Sequence, residues 1–160
     1  MKRKSDITIC GLDDMADLIR RNPTGLNIVS IRSSRLPDSE YAFFDEFRAN
    51  YKDIIIEKFD DIKVPEEGWI VPELEHVRRI LGWAEERENI AVHCTAGISR
   101  SSAIAYLIAC QRSSPKQAVK VLDPAKHAPN RLIIKLGMDV LGDEAVMLEY
   151  IKWFKSHPVG

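Results

Sequence analysis

Residues 90–110 constrain the fold more than any other part of this chain, because they pass from a short apolar run through a small polar turn into a long apolar run. Ile90-Ala91-Val92 reads as a buried strand and Ser102-Ala103-Ile104-Ala105-Tyr106-Leu107-Ile108-Ala109-Cys110 as a buried helix. The nine residues His93-Cys94-Thr95-Ala96-Gly97-Ile98-Ser99-Arg100-Ser101 must therefore carry the chain from a strand end to a helix start. Unpaired backbone N–H groups and the positive end of a helix dipole converge at such a junction, which suits it to bind an anion.

Other segments fit around this hinge. Short, apolar, branched stretches at 7–11, 26–31, 53–59 and 89–93 read as strands. Helical patterns alternate with them: 13–21, stopped by Asn22-Pro23-Thr24-Gly25, and 72–87, where Leu74, Val77, Leu81 and Ala84 give one apolar face. Ser114-Pro115 opens a further helix with a cap and a first-turn proline, and Ala118, Val119 and Leu122 form its buried stripe. Two helices at 131–141 and 143–155 meet at Gly142, the second with Met147, Tyr150, Ile151 and Phe154 turned inward. The stretch 40–49 reads as a helix with exposed aromatics. Arg32 and Arg35, just past a strand end, read as solvated arginines, with lining a site entrance as the alternative. The alternation predicts an α/β fold: a central, mostly parallel sheet of four or five strands with helices on both faces, binding ligands beyond the carboxyl ends of the strands.

The turn itself combines a nucleophile, an anion cradle and a fixed cation. An electropositive junction favours the thiolate of Cys94, which is the reactive form of a cysteine. Five residues separate Cys94 from Arg100, whose planar fork can reach back to hold two oxygens of a bound phosphoryl group in a geometry no lysine matches. Gly97 lets the backbone turn its amides inward, and Thr95, Ala96, Ile98 and Ser99 are uncharged, the first two and Ser99 small as well. Ser101 offers a hydroxyl to sulfur when it acts as a leaving group.

This arrangement resembles the signature of the cysteine-dependent tyrosine and dual-specificity phosphatases, in which His-Cys, five variable residues, Arg and Ser or Thr form the phosphate-binding loop. Every fixed position is filled here. The resemblance implies a small single-domain phosphatase, of bacterial type, spanning residues 1–160. It would hydrolyse phosphotyrosine or phosphoserine/threonine on proteins through a phosphocysteine on Cys94, with Thr95 to Arg100 binding the phosphate. It also implies a general acid on a separate loop, following an aromatic and one intervening residue well before the cysteine. In Phe59-Asp60-Asp61 that position is Asp61, with Asp60 as the alternative and a solvated Asp-Asp turn as the structural reading. Pro129-Asn130 matches a third family feature, so Asn130 is expected to border the site, to cap the helix that starts at Arg131, or both. His93 is expected to support the loop without carrying protons. The aromatic recognition segment of the deep-pocket tyrosine-specific enzymes is missing, which favours a shallow pocket. An alternative substrate is a phosphoinositide, a nucleotide or an RNA 5′ phosphate, although lipid-phosphate members tend to carry lysines inside the loop and this loop has none. A phosphate-binding module without turnover is a further reading, disfavoured by the intact Cys94, Arg100 and Asp61. A rhodanese-like sulfur transfer is disfavoured by the loop's size.

Composition bounds the rest. With 160 residues, 45% of them hydrophobic, the chain can bury one good core. Its 23 basic and 24 acidic side chains leave a net charge of −1, which argues against a nucleic-acid platform. Met1-Lys2-Arg3-Lys4 is basic, but no apolar run follows that would make a signal peptide or a membrane span. Three cysteines without close pairing fit a reducing compartment, so a cytoplasmic monomer without cofactor or metal is the expectation. Cys10 and Cys110 read as buried small hydrophobes, and His76, His127 and His157 show no metal-ligand spacing.

Overall fold

The computed structural model describes residues 6–21 and 24–157. Four strands, β1 (Ile7–Cys10), β2 (Asn27–Arg32), β3 (Asp53–Lys58) and β4 (Ile90–His93), form one sheet in the order β1-β4-β2-β3, and every pairing in it is parallel. Parallel neighbours need crossovers, and helices supply them: α1 (Leu12–Arg20), α2 (Ala42–Glu46) and α3 (Leu74–Ala84) follow the first three strands. After β4 come α4 (Arg100–Arg112), α5 (Pro115–Ala118), α6 (Arg131–Leu141) and α7 (Ala145–Ser156).

Strand residues alternate between the two faces of the sheet, and the register keeps like with like. Ile28 pairs with Ala91 on the face covered by Leu12, Met15, Ile19 and Phe44. Val29 pairs with Val92 on the face covered by Ile80, Ile104 and Leu107. Because β4 is central and helices lie on both sides, all four of its residues are buried, which explains its unbroken apolar run. The same holds for α4, buried from Arg100 to Cys110, since it lies between the sheet and α3, α5 and α6. Tyr106 donates its hydroxyl to the Val146 carbonyl at 2.6 Å and so ties α4 to α7. Gly137 lets α6 approach closely, because a Cβ there would collide with Leu107 of α4.

Local chemistry sets the helix ends. Ser114 Oγ accepts from the Gln117 N–H at 3.3 Å with Pro115 in the first turn, and Asn130 Oδ1 caps α6 by accepting from the Ile133 N–H at 3.1 Å. Gly142, at φ +63°, closes α6 in a left-handed conformation.

Some expectations need correction. The 40–49 stretch is broken into a 3-10 turn (Asp38–Tyr41), the short α2 and a second 3-10 turn (Arg48–Asn50), and its aromatics are not exposed. Tyr41 and Phe44 are buried because this segment, with α1, covers one whole face of the sheet. In α7 Val146 and Tyr150 are buried and Met147, Ile151 and Trp153 pack partly against the core, but Phe154, expected inward, is 46% exposed at the edge of the apolar face. The helix expected at 72–87 is confined to Leu74–Ala84, where Glu73 and His76 form a reciprocal capping box. Asn22 and Pro23, expected to stop the first helix, lie outside the described residues, as does the basic segment Met1 to Lys4. Among the described residues no helix is long and apolar enough to cross a membrane.

Candidate active site

β4 delivers Cys94 directly from the carboxyl edge of the sheet. The residue before it, His93, is in register with Cys10 of β1 and Ser30 of β2. Residues 94–99 then curl over the end of β1 before α4 begins. The Leu12 N–H donates to the Thr95 carbonyl at 3.0 Å, and Gly97 sits at φ +74° so close to β1 that a Cβ would fall 2.6 Å from the Cys10 carbonyl carbon. Only glycine fits there, on both counts. The turn brings the Gly97 N–H to Cys94 Sγ at 3.3 Å, and Ser101 Oγ lies 3.1 Å from the same sulfur. Cys94 is 2% exposed, so its sulfur stands buried at the floor of the loop.

Arg100 is the first residue of α4 and 7% exposed. Its Nη1 donates to the Phe59 carbonyl at 2.9 Å and its Nη2 to Thr95 Oγ1 at 3.1 Å, while Nε is buried with no hydrogen-bond partner. The Nε/Nη2 edge is the one with which Arg79 grips both oxygens of Glu57, at 2.8 Å each. In Arg100 that edge is anchored from behind by Phe59 and is chemically fit for two oxygens of a tetrahedral anion.

The two aspartates after Phe59 have opposite environments. Asp60 is 1% exposed and turned inward: its carboxylate accepts from Ser33 Oγ at 3.2 Å, from the Ser34 N–H at 2.9 Å, from Ser34 Oγ, and from the Ile70 N–H at 2.8 Å. Burial pushes its carboxyl up, but these hydrogen bonds outweigh it and hold the group below the usual carboxylate range. Asp61 is exposed and turned toward the loop: its Oδ1 accepts from Ser99 Oγ at 2.8 Å and from Asn130 Nδ2 at 2.8 Å. Asn130 also donates to the Ile62 carbonyl at 3.2 Å while its oxygen caps α6, so both expected roles coexist in one side chain. Backbone bonds from Ala128 N to Ile98 O and from Asn130 N to Ser99 O, at 3.0 and 3.1 Å, fasten the α6 entrance to the loop.

His93 is fully buried and burial pushes its imidazole down to about 4, so the ring is neutral. Its Nδ1 lies 3.1 Å from the Cys94 carbonyl oxygen and its Nε2 2.6 Å from Ser30 Oγ. Cys10 and Cys110 are free thiols that burial pushes up to about 12, which makes them inert beside Cys94. His127 is structural, its Nδ1 accepting from the Asp123 N–H at 2.8 Å. Among the described residues no group of His, Cys, Asp and Glu is placed to hold a metal ion.

Solved structures give an independent comparison for this fold. Tk-PTP in its active form aligns over 87% of this chain and 90% of its own, with TM-score 0.54 and 18% identity. PTPMT1 aligns over 85% and 92% with TM-score 0.56 and 14% identity, and DUSP15 over 100% and 96% with TM-score 0.52 and 21% identity. The fold is that of the cysteine-dependent protein tyrosine phosphatases. No family model matches the chain, and no curated protein matches it in sequence. On this phosphatase fold, the loop of Cys94 stands at the carboxyl end of a central strand with β2 and β3 ending beside it.

The structure brings Cys94, Gly97, Arg100, Ser101 and Asp61, all singled out from the sequence, to one loop and the helix start beside it, while the residues that hold them were missed. Ser33 and Ser34, which clamp Asp60, follow the end of β2 on the edge where a parallel sheet binds ligands, and that position was the available signal. Ser99, expected only among the phosphate-binding residues of the loop, also holds Asp61 through its hydroxyl. Arg32, expected to be a solvated arginine, is half-buried: its guanidinium lies over Tyr41 and Phe44, at 4.6 and 4.9 Å from the ring centroids. Arg35 stacks on Trp69 at 4.0 Å.

Proposed function

We propose that this protein is a phosphatase that hydrolyses phosphomonoesters on protein side chains, phosphotyrosine, phosphoserine or phosphothreonine, through a phosphocysteine. The Cys94 thiolate attacks phosphorus, forming the S–P bond as the bond to the leaving oxygen breaks. Asp61, as the carboxylic acid, gives its proton to that oxygen. The Nε/Nη2 edge of Arg100 and the amides of residues 95–100 hold the three equatorial oxygens through the transition state. In the second step water attacks phosphorus, Asp61 as carboxylate takes the water's proton, and the S–P bond breaks with sulfur leaving as a thiolate stabilised by Ser101 Oγ. A reducing compartment such as the cytoplasm suits a mechanism that needs Cys94 unoxidised.

The observation that supports this reading most is the buried, unpartnered Nε of Arg100 on the same loop as Cys94 Sγ, which itself meets the Gly97 amide and the Ser101 hydroxyl. A buried donor without an acceptor costs about 1–3 kcal/mol, and a bound oxyanion removes that cost. The position of Asp61 across the loop, held by Ser99 and Asn130, supplies the acid that a bare anion site would not need.

Hydrolysis of an aryl phosphate by the wild type, Cys94→Ser and Asp61→Asn tests the assignment. Turnover should vanish in the first, and in the second should fall by about 100-fold or more, the usual scale of general acid–base catalysis. Full activity in Cys94→Ser would end the reading. PTPMT1, of similar fold at 12% identity, has been solved with PI(5)P, so a phosphoinositide is the second substrate to assay. The lysine-free loop and the exposed apolar Ile98 within it favour the phosphopeptide.

A further inference from the structure

A one-way chain of hydrogen bonds runs from Arg32 to the backbone of Cys94. Arg32 Nε donates to Ser30 Oγ at 3.0 Å, Ser30 Oγ lies 2.6 Å from His93 Nε2, and His93 Nδ1 lies 3.1 Å from the Cys94 carbonyl oxygen. The directions follow from chemistry alone. A guanidinium only donates, so Ser30 Oγ accepts from it and points its own proton at Nε2. A carbonyl only accepts, so the ring proton sits on Nδ1. Ser30 and His93 are both fully buried.

We propose that Arg32 and Ser30 are positioning residues of the Cys94 site: they lock the His93 ring with its proton on Nδ1, so that this N–H holds the Cys94 carbonyl and fixes the first peptide of the loop. The inference rests on Cys94 being the nucleophile. The carbonyl oxygen is the negative end of a dipole on the residue that carries the sulfur, and a donor on it relieves repulsion of a thiolate. Linked hydrogen bonds polarise one another, so the Arg32 charge strengthens the last bond in the chain. Phe44 holds the geometry from one side, stacking on the His93 ring at 5.2 Å and under the Arg32 guanidinium at 4.9 Å.

Charged neighbours on every packed element agree with a neutral ring. His93 faces Arg32 from β2 and Arg100 from α4, both of which oppose a second proton, and burial opposes it more strongly. Arg32 in turn faces Tyr41, Asp45, Tyr51 and Asp38 from the segment between β2 and β3. Cys94 faces Cys10 from β1, whose thiol stays protonated, and Asp61 is held at Ser99 on the far side of the loop.

Three variants separate the hydrogen bond from the charge and from packing. Ser30→Ala removes the middle link at little change in volume. Arg32→Met removes the donor, and Arg32→Gln returns an N–H at the position of Nε without the charge. The readouts are the pH dependence of Cys94 alkylation by iodoacetamide, followed at the Cys94 peptide by mass spectrometry, and the ring-nitrogen NMR signals of His93. Neither needs turnover, so both stay readable if the phosphatase assay fails. The wild type should show the proton on Nδ1. In Ser30→Ala and Arg32→Met the alkylation profile should move to higher pH by about half to one unit, which slows alkylation by about 3–10-fold at the foot of its rising limb. Arg32→Gln should restore most of the wild-type profile. Unmoved profiles in both Ser30→Ala and Arg32→Met would overturn the proposal. So would Arg32→Gln shifted as far as Arg32→Met, or a wild-type ring protonated on Nε2.

Discussion

Exchanging Asp60 and Asp61 for asparagine, one at a time, should produce crossed effects on stability and rate. Each oxygen of the buried Asp60 carboxylate accepts from one backbone N–H and one serine hydroxyl: Oδ1 from Ser34 N and Ser33 Oγ, Oδ2 from Ile70 N and Ser34 Oγ. In Asp60→Asn the hydroxyls can reverse, but whichever oxygen becomes the NH₂ group faces a backbone N–H that then has no acceptor. That loss, with the charge assistance removed from the remaining bonds, costs about 2–4 kcal/mol. For a chain of this size 1 kcal/mol moves Tm by about 2–4 °C, so Tm should fall by about 5–15 °C. Asp61→Asn keeps Oδ1 for both Ser99 and Asn130 on an exposed side chain, and its stability should stay within about 0.5 kcal/mol of wild type. Its kcat/KM should nevertheless fall by about 100-fold. The pH dependence adds a sign. Because the folded Asp60 carboxyl is depressed, its contribution is fully present above the unfolded value of about 3.9 and is lost as pH falls through the lower folded value. The Tm gap between wild type and Asp60→Asn should therefore narrow below about pH 4. Differential scanning calorimetry across pH, with aryl phosphate kinetics on the same samples, measures both quantities. A stable Asp60→Asn with the larger rate loss would refute the division of labour between the pair.

Other perturbations give sharper local tests. Gly97→Ala places a Cβ against the Cys10 backbone at φ +74°, so the loop must shift; kcat/KM should drop by about 100-fold while far-UV circular dichroism stays unchanged. Asn130→Ala should lose both the α6 cap, about 1 kcal/mol, and the bond to Asp61, whereas Asn130→Asp should keep the cap and lose activity alone, the basic limb of its pH–rate profile moving upward as a second carboxylate faces Asp61. The unfolded His93 ring takes a proton near its ordinary 6.5 and the folded ring resists until about 4, so its contribution is full above that ordinary value and wanes as pH falls between the two. Over that window up to about 3 kcal/mol is lost, and His93→Gln should shallow the fall in Tm without abolishing it, since burial lowers His76 and His127 as well.

The parts of this fold legible in the sequence are those written in contiguous residues. The β4–loop–α4 hinge carries its strand, its glycine and its helix within one short stretch, and α6 carries its asparagine cap and closing glycine at its two ends. Segment 40–49 was misread because its aromatic spacing does not reveal that the open face of β2 and β4 needs a cover, and Tyr41 and Phe44 provide it. Arg32 was misread for a related reason: an arginine after a strand looks solvated until those same two rings fold beneath it. Phe154 failed in the opposite sense, its helical spacing being right and the rotation of α7 against its neighbours being unknown.

The topology explains why the supports of the site were harder to see than its chemistry. A parallel sheet ends all its strands on one edge, so β4, β2 and β3 deliver Cys94, Ser33 with Ser34, and Asp60 with Asp61 to the same place from distant parts of the chain. Several joints then tie one strand end to another. Asp60 joins the end of β3 to the segment after β2, the Phe59 carbonyl at the end of β3 anchors Arg100, and Ser30 of β2 anchors the ring that holds Cys94. A change in any one strand end should therefore disturb the acid and the anion cradle together, and separate failure of the two is reserved for substitutions, such as Asp61→Asn, that leave all three joints intact.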